Sequence, residues 1–199
     1  MIIKIEAETF HTRDPLTVTS PNSTIIPNLT ALYGLLASIL GIGANNVEKN
    51  RELLKNFASK LSIEEIYLEK LPYKFNFGIN RIQGDLSKYR KGNIRTTINY
   101  QILKDLILYL KIKGNEEIIK DLKKLIKEKK SKFTPYLGTS EHLIKNIEII
   151  EKEEFEKIKN NLITVVPIEE VKELNNKNIY VTNLVIDFDL TTKPFAILL

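Results

Sequence analysis

Cysteine is absent from this sequence. Disulfides, thiolate zinc sites, thioredoxin chemistry and cysteine nucleophiles are excluded with it. Long apolar runs are missing too: the longest, Leu35 to Ile42, is interrupted by Ser38 and is too short to span a bilayer. The opening "MIIKIEAETF" sets Lys4 and Glu6 inside its apolar run, so it reads as a strand and not as a signal peptide. A cytoplasmic location with no membrane partner is expected. No glycine-rich nucleotide loop of the usual spacing is present. Asp187 and Asp189 are too isolated to argue for a metal site, so neither metal nor cofactor is expected. There are two histidines, His11 and His142. One follows the first strand and one precedes the fourth, and in a four-stranded sheet those strands need not be neighbours. A His11–Tyr33 acid–base pair would suit RNA cleavage, although a lone histidine near a strand end more often serves structure.

What is present describes a globular chain. Its 199 residues are 43% hydrophobic and 28% charged, enough for one core, or one core and a small appended domain. A net charge of +5 and a pI near 9.1 point mildly toward a polyanionic partner, and more strongly if the charge is clustered. Residues 1–10 alternate apolar and polar, the period of a half-buried strand. A loop rich in Pro, Thr, Ser and Asn follows. A first helix is predicted from Asn28 to Leu40, with Gly41 ending it, and a second over Val47–Lys60. "IEEIYLEKLPYKFNFGI" is extended, with Pro72 marking a bend or an edge. "IRTTINYQILKDLILYLKIK" is β-rich, its second half also readable as helix. The clearest helix follows Asn115, with Glu116 and Glu117 in its first turn, lysines in its last, and Ile118, Ile119, Leu122, Leu125 and Ile126 as its buried stripe. "TPYLGTSEH" is a loop, "LIKNIEII" a strand, and three strand-like runs close the sequence. This order predicts an α+β, ferredoxin-like domain over residues 1–152, with a small β-rich C-terminal extension over 153–199.

Charge clusters between the second and third strands of that unit. From Asn80 to Arg95, Arg81, Lys88, Arg90, Lys91 and Arg95 stand against Asp85 alone, a local +4 from five cations and one carboxylate. Tyr89 lies within it, a ring on which a base can stack. Such a hairpin suits a sugar–phosphate backbone; as a solvated surface hairpin it would only add solubility. The first helix raises a different question, because "PNLTALYGLLASILG" carries Ala31, Gly34, Ala37 and Ser38. A mid-helix glycine costs roughly 1 kcal/mol against alanine, so close packing of Gly34 and Ala37 on a sheet is expected to offset it.

Three segments in order carry a family resemblance. An N-terminal strand ending in Phe and a Pro/Ser/Thr-rich loop lead into "PNLTALYGLLASILG"; "RTTINYQIL" and "PYLGTSEHLIKNI" follow. Together they resemble the CRISPR-associated RAMP proteins of the Cas-five family, which cap the crRNA 5′ handle in Cascade. The proline run is split here between Pro21 and Pro27, and the late glycine-rich loop of many RAMP proteins is missing. The resemblance implies an RRM-like RAMP domain serving as a structural RNA-binding subunit of a type I CRISPR surveillance complex in antiviral defence. Its partners would be the crRNA, through the 5′ handle, and the Cascade backbone and large subunits. RNA would be held by His11 and Arg13, by Asn28 and Thr30 at the helix start, by Gly138 in the later loop, and by the hairpin residues Arg81, Lys88, Tyr89, Arg90, Lys91 and Arg95. One branch of the family cuts crRNA precursor with Tyr, Lys and His. This chain has no Lys–His neighbour, so a non-enzymatic subunit is expected. The alternatives are a metal-independent crRNA-processing endoribonuclease, and a protein-interaction module unrelated to RNA whose basic hairpin meets an acidic partner.

Overall fold

The computed structural model describes residues 1–15, 22–82, 95–171 and 179–199. Its centre is an antiparallel sheet in the order β5-β1-β4-β2, formed by β1 (Ile2–Phe10), β2 (Leu61–Leu68), β4 (Arg95–Gly114) and β5 (Ile144–Ile150). In chain order those are the fourth, first, third and second strands of a ferredoxin-like unit. The crossovers carry α1 (Leu29–Leu40), α2 (Val47–Lys60) and α3 (Glu116–Lys127). The α+β, ferredoxin-like expectation therefore holds.

Alternation places the core. Ile3, Ile5 and Ala7 of β1 and Leu106, Leu108, Leu110 and Ile112 of β4 point to the helical face. There they meet Leu32, Leu35, Leu36 and Ile39 of α1 and Leu122 and Ile126 of α3. Ile107 and Tyr109, which alternate with them on β4, are apolar or aromatic as well, because the other face is also covered there. Tyr67, Tyr109 and Ile150 cluster there with Phe155 of the short helix α4 (Lys152–Ile158). No element was predicted at α4. Cover on both faces explains the unbroken "LILYL" of β4, which read equally as helix; the whole of 95–114 is strand.

Two additions extend the unit. β3 (Tyr73–Ile82) pairs with the first half of β4 from Tyr73↔Lys104 to Ile82↔Arg95, making a ribbon beyond the sheet. On the other side β6 (Ile163–Pro167), β8 (Thr192–Leu198) and β7 (Ile179–Val185) continue the sheet past β2 in that order. The sequence boundary at 152 falls just after β5, at the first residue of α4. No helix among the described residues is long and apolar enough to cross a membrane.

Candidate nucleic-acid interface

The first helix is closed at its C-terminus by Gly41, whose φ of 74° releases its N–H and that of Ile42 to the carbonyls of Ser38 and Ala37. Two further carbonyl bonds are taken up from outside the helix. Phe133 N–H donates to Ser38 and Lys132 N–H to Ile39, so the chain leaving α3 is pinned to the end of α1. From there the loop 133–143 runs back to the end of β1 and lands on it at Gly138. A Cβ at Gly138 would lie 1.7 Å from the His11 carbonyl oxygen, and its φ is +90°. Only glycine fits there.

Between that loop and α1 lies an open cleft of about 1760 Å³. Ala31, Gly34 and Ser38 line it from α1, Phe133 and Tyr136 from the loop, and Tyr100 from β4. A Cβ at Gly34 would meet nothing within 4 Å. The expectation that Gly34 packs on the sheet is thus corrected. Ala37 is the residue buried in the core, and Gly34 faces the cleft, because the apolar stripe of α1 is turned to the sheet by Leu32, Leu35, Leu36 and Ile39. What the small side chains leave open is the space of the cleft beside α1.

Both histidines line this cleft. The sequence reading left their strands unrelated. In the observed order the fourth ferredoxin strand lies against the first and antiparallel to it, so the end of β1 and the start of β5 adjoin. The 4-1-3-2 order inherent in the fold expectation already contained that juxtaposition. His11 Nδ1 donates to the Gln101 carbonyl at 2.7 Å, and its ring stacks on Tyr100 with centroids 4.4 Å apart. His142 Nδ1 shares a 2.8 Å hydrogen bond with the Thr9 hydroxyl. Burial holds both rings below the usual imidazole range. The nearby Arg13 adds to this for His11, with the Gln101 carbonyl opposing, and each further proton at His142 is disfavoured by His11 and favoured by Glu141. Tyr33 does not join them. Its ring lies against Phe188 with centroids 6.5 Å apart, and burial raises its pKa.

The remaining expected site residues are distributed. Arg13 bridges to Ser23 within the loop before α1 and lines the cleft with Thr30. Asn28 precedes α1 but makes no side-chain cap. It accepts from Val185 N–H at 2.9 Å and donates to the Arg13 carbonyl at 3.2 Å, tying the loop to β7. Arg81 and Arg95 lie on the β3–β4 ribbon, opposite Thr96 and Ile82. Lys88, Tyr89, Arg90 and Lys91 fall outside the described residues. At the ribbon's base, exposed Tyr73 and Phe75 carry the ammonium groups of Lys70 and Lys104 over their rings, at 5.5 and 4.5 Å. Sequence reasoning did not bring Tyr100, Phe133 or Tyr136 to the site, and it weighed His142 without placing it there. None has a local signature, since they meet only through the fold. Asp189 is ion-paired with Arg51 and Lys55.

No family model and no curated protein matches the sequence. Solved structures do match in fold. A chain of a "CRISPR RNA-guided surveillance complex" superposes with a TM-score of 0.55 at 12% identity, over 99% of this chain and 86% of that one. A "Cas protein" crystal structure gives 0.50 at 11% identity, over 99% and 91%. SMU1763c from Streptococcus mutans, described as functionally uncharacterized, gives 0.50 at 15% identity, over 100% and 90%. The chain thus shares its ferredoxin-like architecture with CRISPR-associated proteins, one of them drawn from an RNA-guided surveillance complex.

Proposed function

We propose that this chain is a structural RNA-binding subunit of a CRISPR surveillance complex of type I, and that it holds the 5′ handle of the crRNA in the cleft between α1 and the loop 133–143. The observation that carries this reading is the open cleft wall at Gly34. At about 1760 Å³ the cleft exceeds the roughly 300–1,000 Å³ of small-molecule pockets and suits a length of polymer. Its α1 wall admits a sugar–phosphate backbone at close range, and the half-exposed rings of Phe133 and Tyr136 offer stacking surfaces. The basic segment 80–95 would act as a thumb reaching along the RNA toward the Cascade backbone subunit. The likeness in fold to a surveillance-complex chain supports the same assignment.

Gly34→Leu tests it. The side chain would enter the cleft and not the core, so the melting temperature should hold while affinity for single-stranded RNA falls about tenfold or more, as when a docking surface is sterically filled. Binding by the wild type should weaken with salt with a log–log slope of at most about −3.5 for five cations on a single strand. Unchanged RNA affinity in a folded Gly34→Leu protein would remove the cleft from the reading. The endoribonuclease alternative gains one observation, the shared cleft of His11 and His142, in place of the His11–Tyr33 pair. Incubation of precursor RNA with the protein in chelator decides it: intact RNA is expected, and metal-independent cutting would overturn the non-enzymatic assignment.

A further inference from the structure

His11 is held as a hydrogen-bond acceptor facing the cleft. Its ring is fixed by the 2.7 Å bond from Nδ1 to the Gln101 carbonyl and by the stack on Tyr100, while its backbone carbonyl lies under Gly138. A carbonyl oxygen only accepts, so the proton of the neutral ring sits on Nδ1 and the lone pair on Nε2. No described residue bonds Nε2, although the residue is only 4% exposed. Thr139 Oγ1, and not His11 Nε2, is the buried side-chain polar atom left without a partner among the described residues, so the Nε2 lone pair keeps access to the cleft and is open to a donor from a ligand. A phosphodiester has none, since its free oxygens are acceptors. Base N–H groups vary from one nucleotide to the next. On the backbone side, which the Ala31–Gly34–Ser38 wall admits, the donor an RNA strand presents at every nucleotide is the ribose 2′-hydroxyl.

We propose that His11 Nε2 accepts a hydrogen bond from a ribose 2′-hydroxyl, making His11 the residue by which this cleft distinguishes RNA from DNA. This rests on the reading of the cleft as an RNA site. The groups facing the ring are Arg13 from the loop after β1, Tyr100 and the Gln101 carbonyl from β4, and Glu141 and His142 from the loop 133–143. Burial and Arg13 keep the ring neutral near neutral pH. Protonation turns Nε2 from acceptor to donor, so preference for the 2′-hydroxyl fades on acidification below the ordinary value of 6.5 while attraction to phosphate grows.

The test is fluorescence anisotropy on the full chain with a short oligouridylate, its 2′-fluoro analogue, which keeps the sugar pucker and an acceptor but has no proton to give, and oligodeoxyuridylate. At about pH 7.5 the oligouridylate should bind about tenfold more tightly than the 2′-fluoro strand, the size of one ordinary hydrogen bond. His11→Gln and His11→Ala, checked for folding by thermal melts, should bind the two equally. Equal binding of both strands by the wild type would overturn the inference and leave the RNA reading standing. Failure to bind any of the three strands would sink both. Should the His11 variants unfold, the wild-type comparison of strands decides alone.

Discussion

Two glycines in this chain have opposite reasons to exist, and substitution separates them. Gly138 sits where a Cβ would overlap the His11 carbonyl, in a backbone conformation that L side chains rarely adopt. Gly138→Ala should therefore cost roughly 3 kcal/mol or more and lift the loop 133–143 off β1; a shallow change in the urea midpoint would contradict the contact. Gly34 faces open space in the middle of α1. Gly34→Ala should raise stability by up to about 1 kcal/mol through helix propensity alone, read as a higher melting temperature. A loss of stability in that variant would return Gly34 to the core.

At the scale of elements, three asparagines precede helices, and sequence treats them alike. Asn46 and Asn115 are true caps: Asn46 accepts from Lys49 N–H at 3.0 Å, and Asn115 from Glu117 and Ile118 N–H at 2.9 and 3.3 Å. Asn28 spends its amide on Val185 and Arg13 instead. Asn115→Ala should cost about 1 kcal/mol, the usual value of a cap. Asn28→Ala leaves the buried Val185 N–H without its acceptor and should cost about 1–3 kcal/mol, together with loosening of β7 detectable as faster amide exchange at Val185. Equal, small losses in both variants would make Asn28 an ordinary cap. The three longer helices were legible in sequence, since the expected span Val47–Lys60 is α2, Gly41 closes α1 and Asn115 opens α3. The strong apolar periodicity and end residues of these segments are local properties. β4 was harder because burial on both faces erases the alternation that marks a strand, and α4 was missed because its seven residues bury one side chain fully, Phe155, with Ile158 packed partly beside it.

Across the whole molecule, acid should destabilise the fold in two stages. His11 and His142 have folded pKa values below 6.5, so the unfolded chain takes up protons first as pH falls through that value, and stability drops until the folded rings also titrate. On the opposite face of the sheet, burial works against the charge of Glu65. Hydrogen bonds from Lys111 and Tyr67 and the charge of Lys159 outweigh it and hold the carboxyl below its ordinary 4.5. That contribution is present above the unfolded pKa and is lost as pH falls through the folded one. The urea midpoint should thus decline between about pH 7 and 5, then again below about 4.5. His142→Gln should flatten the upper decline and Glu65→Gln the lower. A midpoint constant from neutrality to about pH 5 would show that the histidines are not held neutral.

Sequence by itself determined the order and type of most elements, because capping, helical periodicity and strand alternation act over a few residues. It also determined the ferredoxin-like class, because that order of elements closes most directly into one antiparallel sheet with helices on a face. The cleft was decided by tertiary structure. His11 and His142 stand 131 positions apart in the chain and meet only because β5 adds beside β1. Gly34 could face sheet or solvent until Leu32, Leu35, Leu36 and Ile39 settled how α1 turns. Gly138 gives no hint in sequence of the carbonyl it covers. Packing chose these partners, and packing is a property of the whole chain.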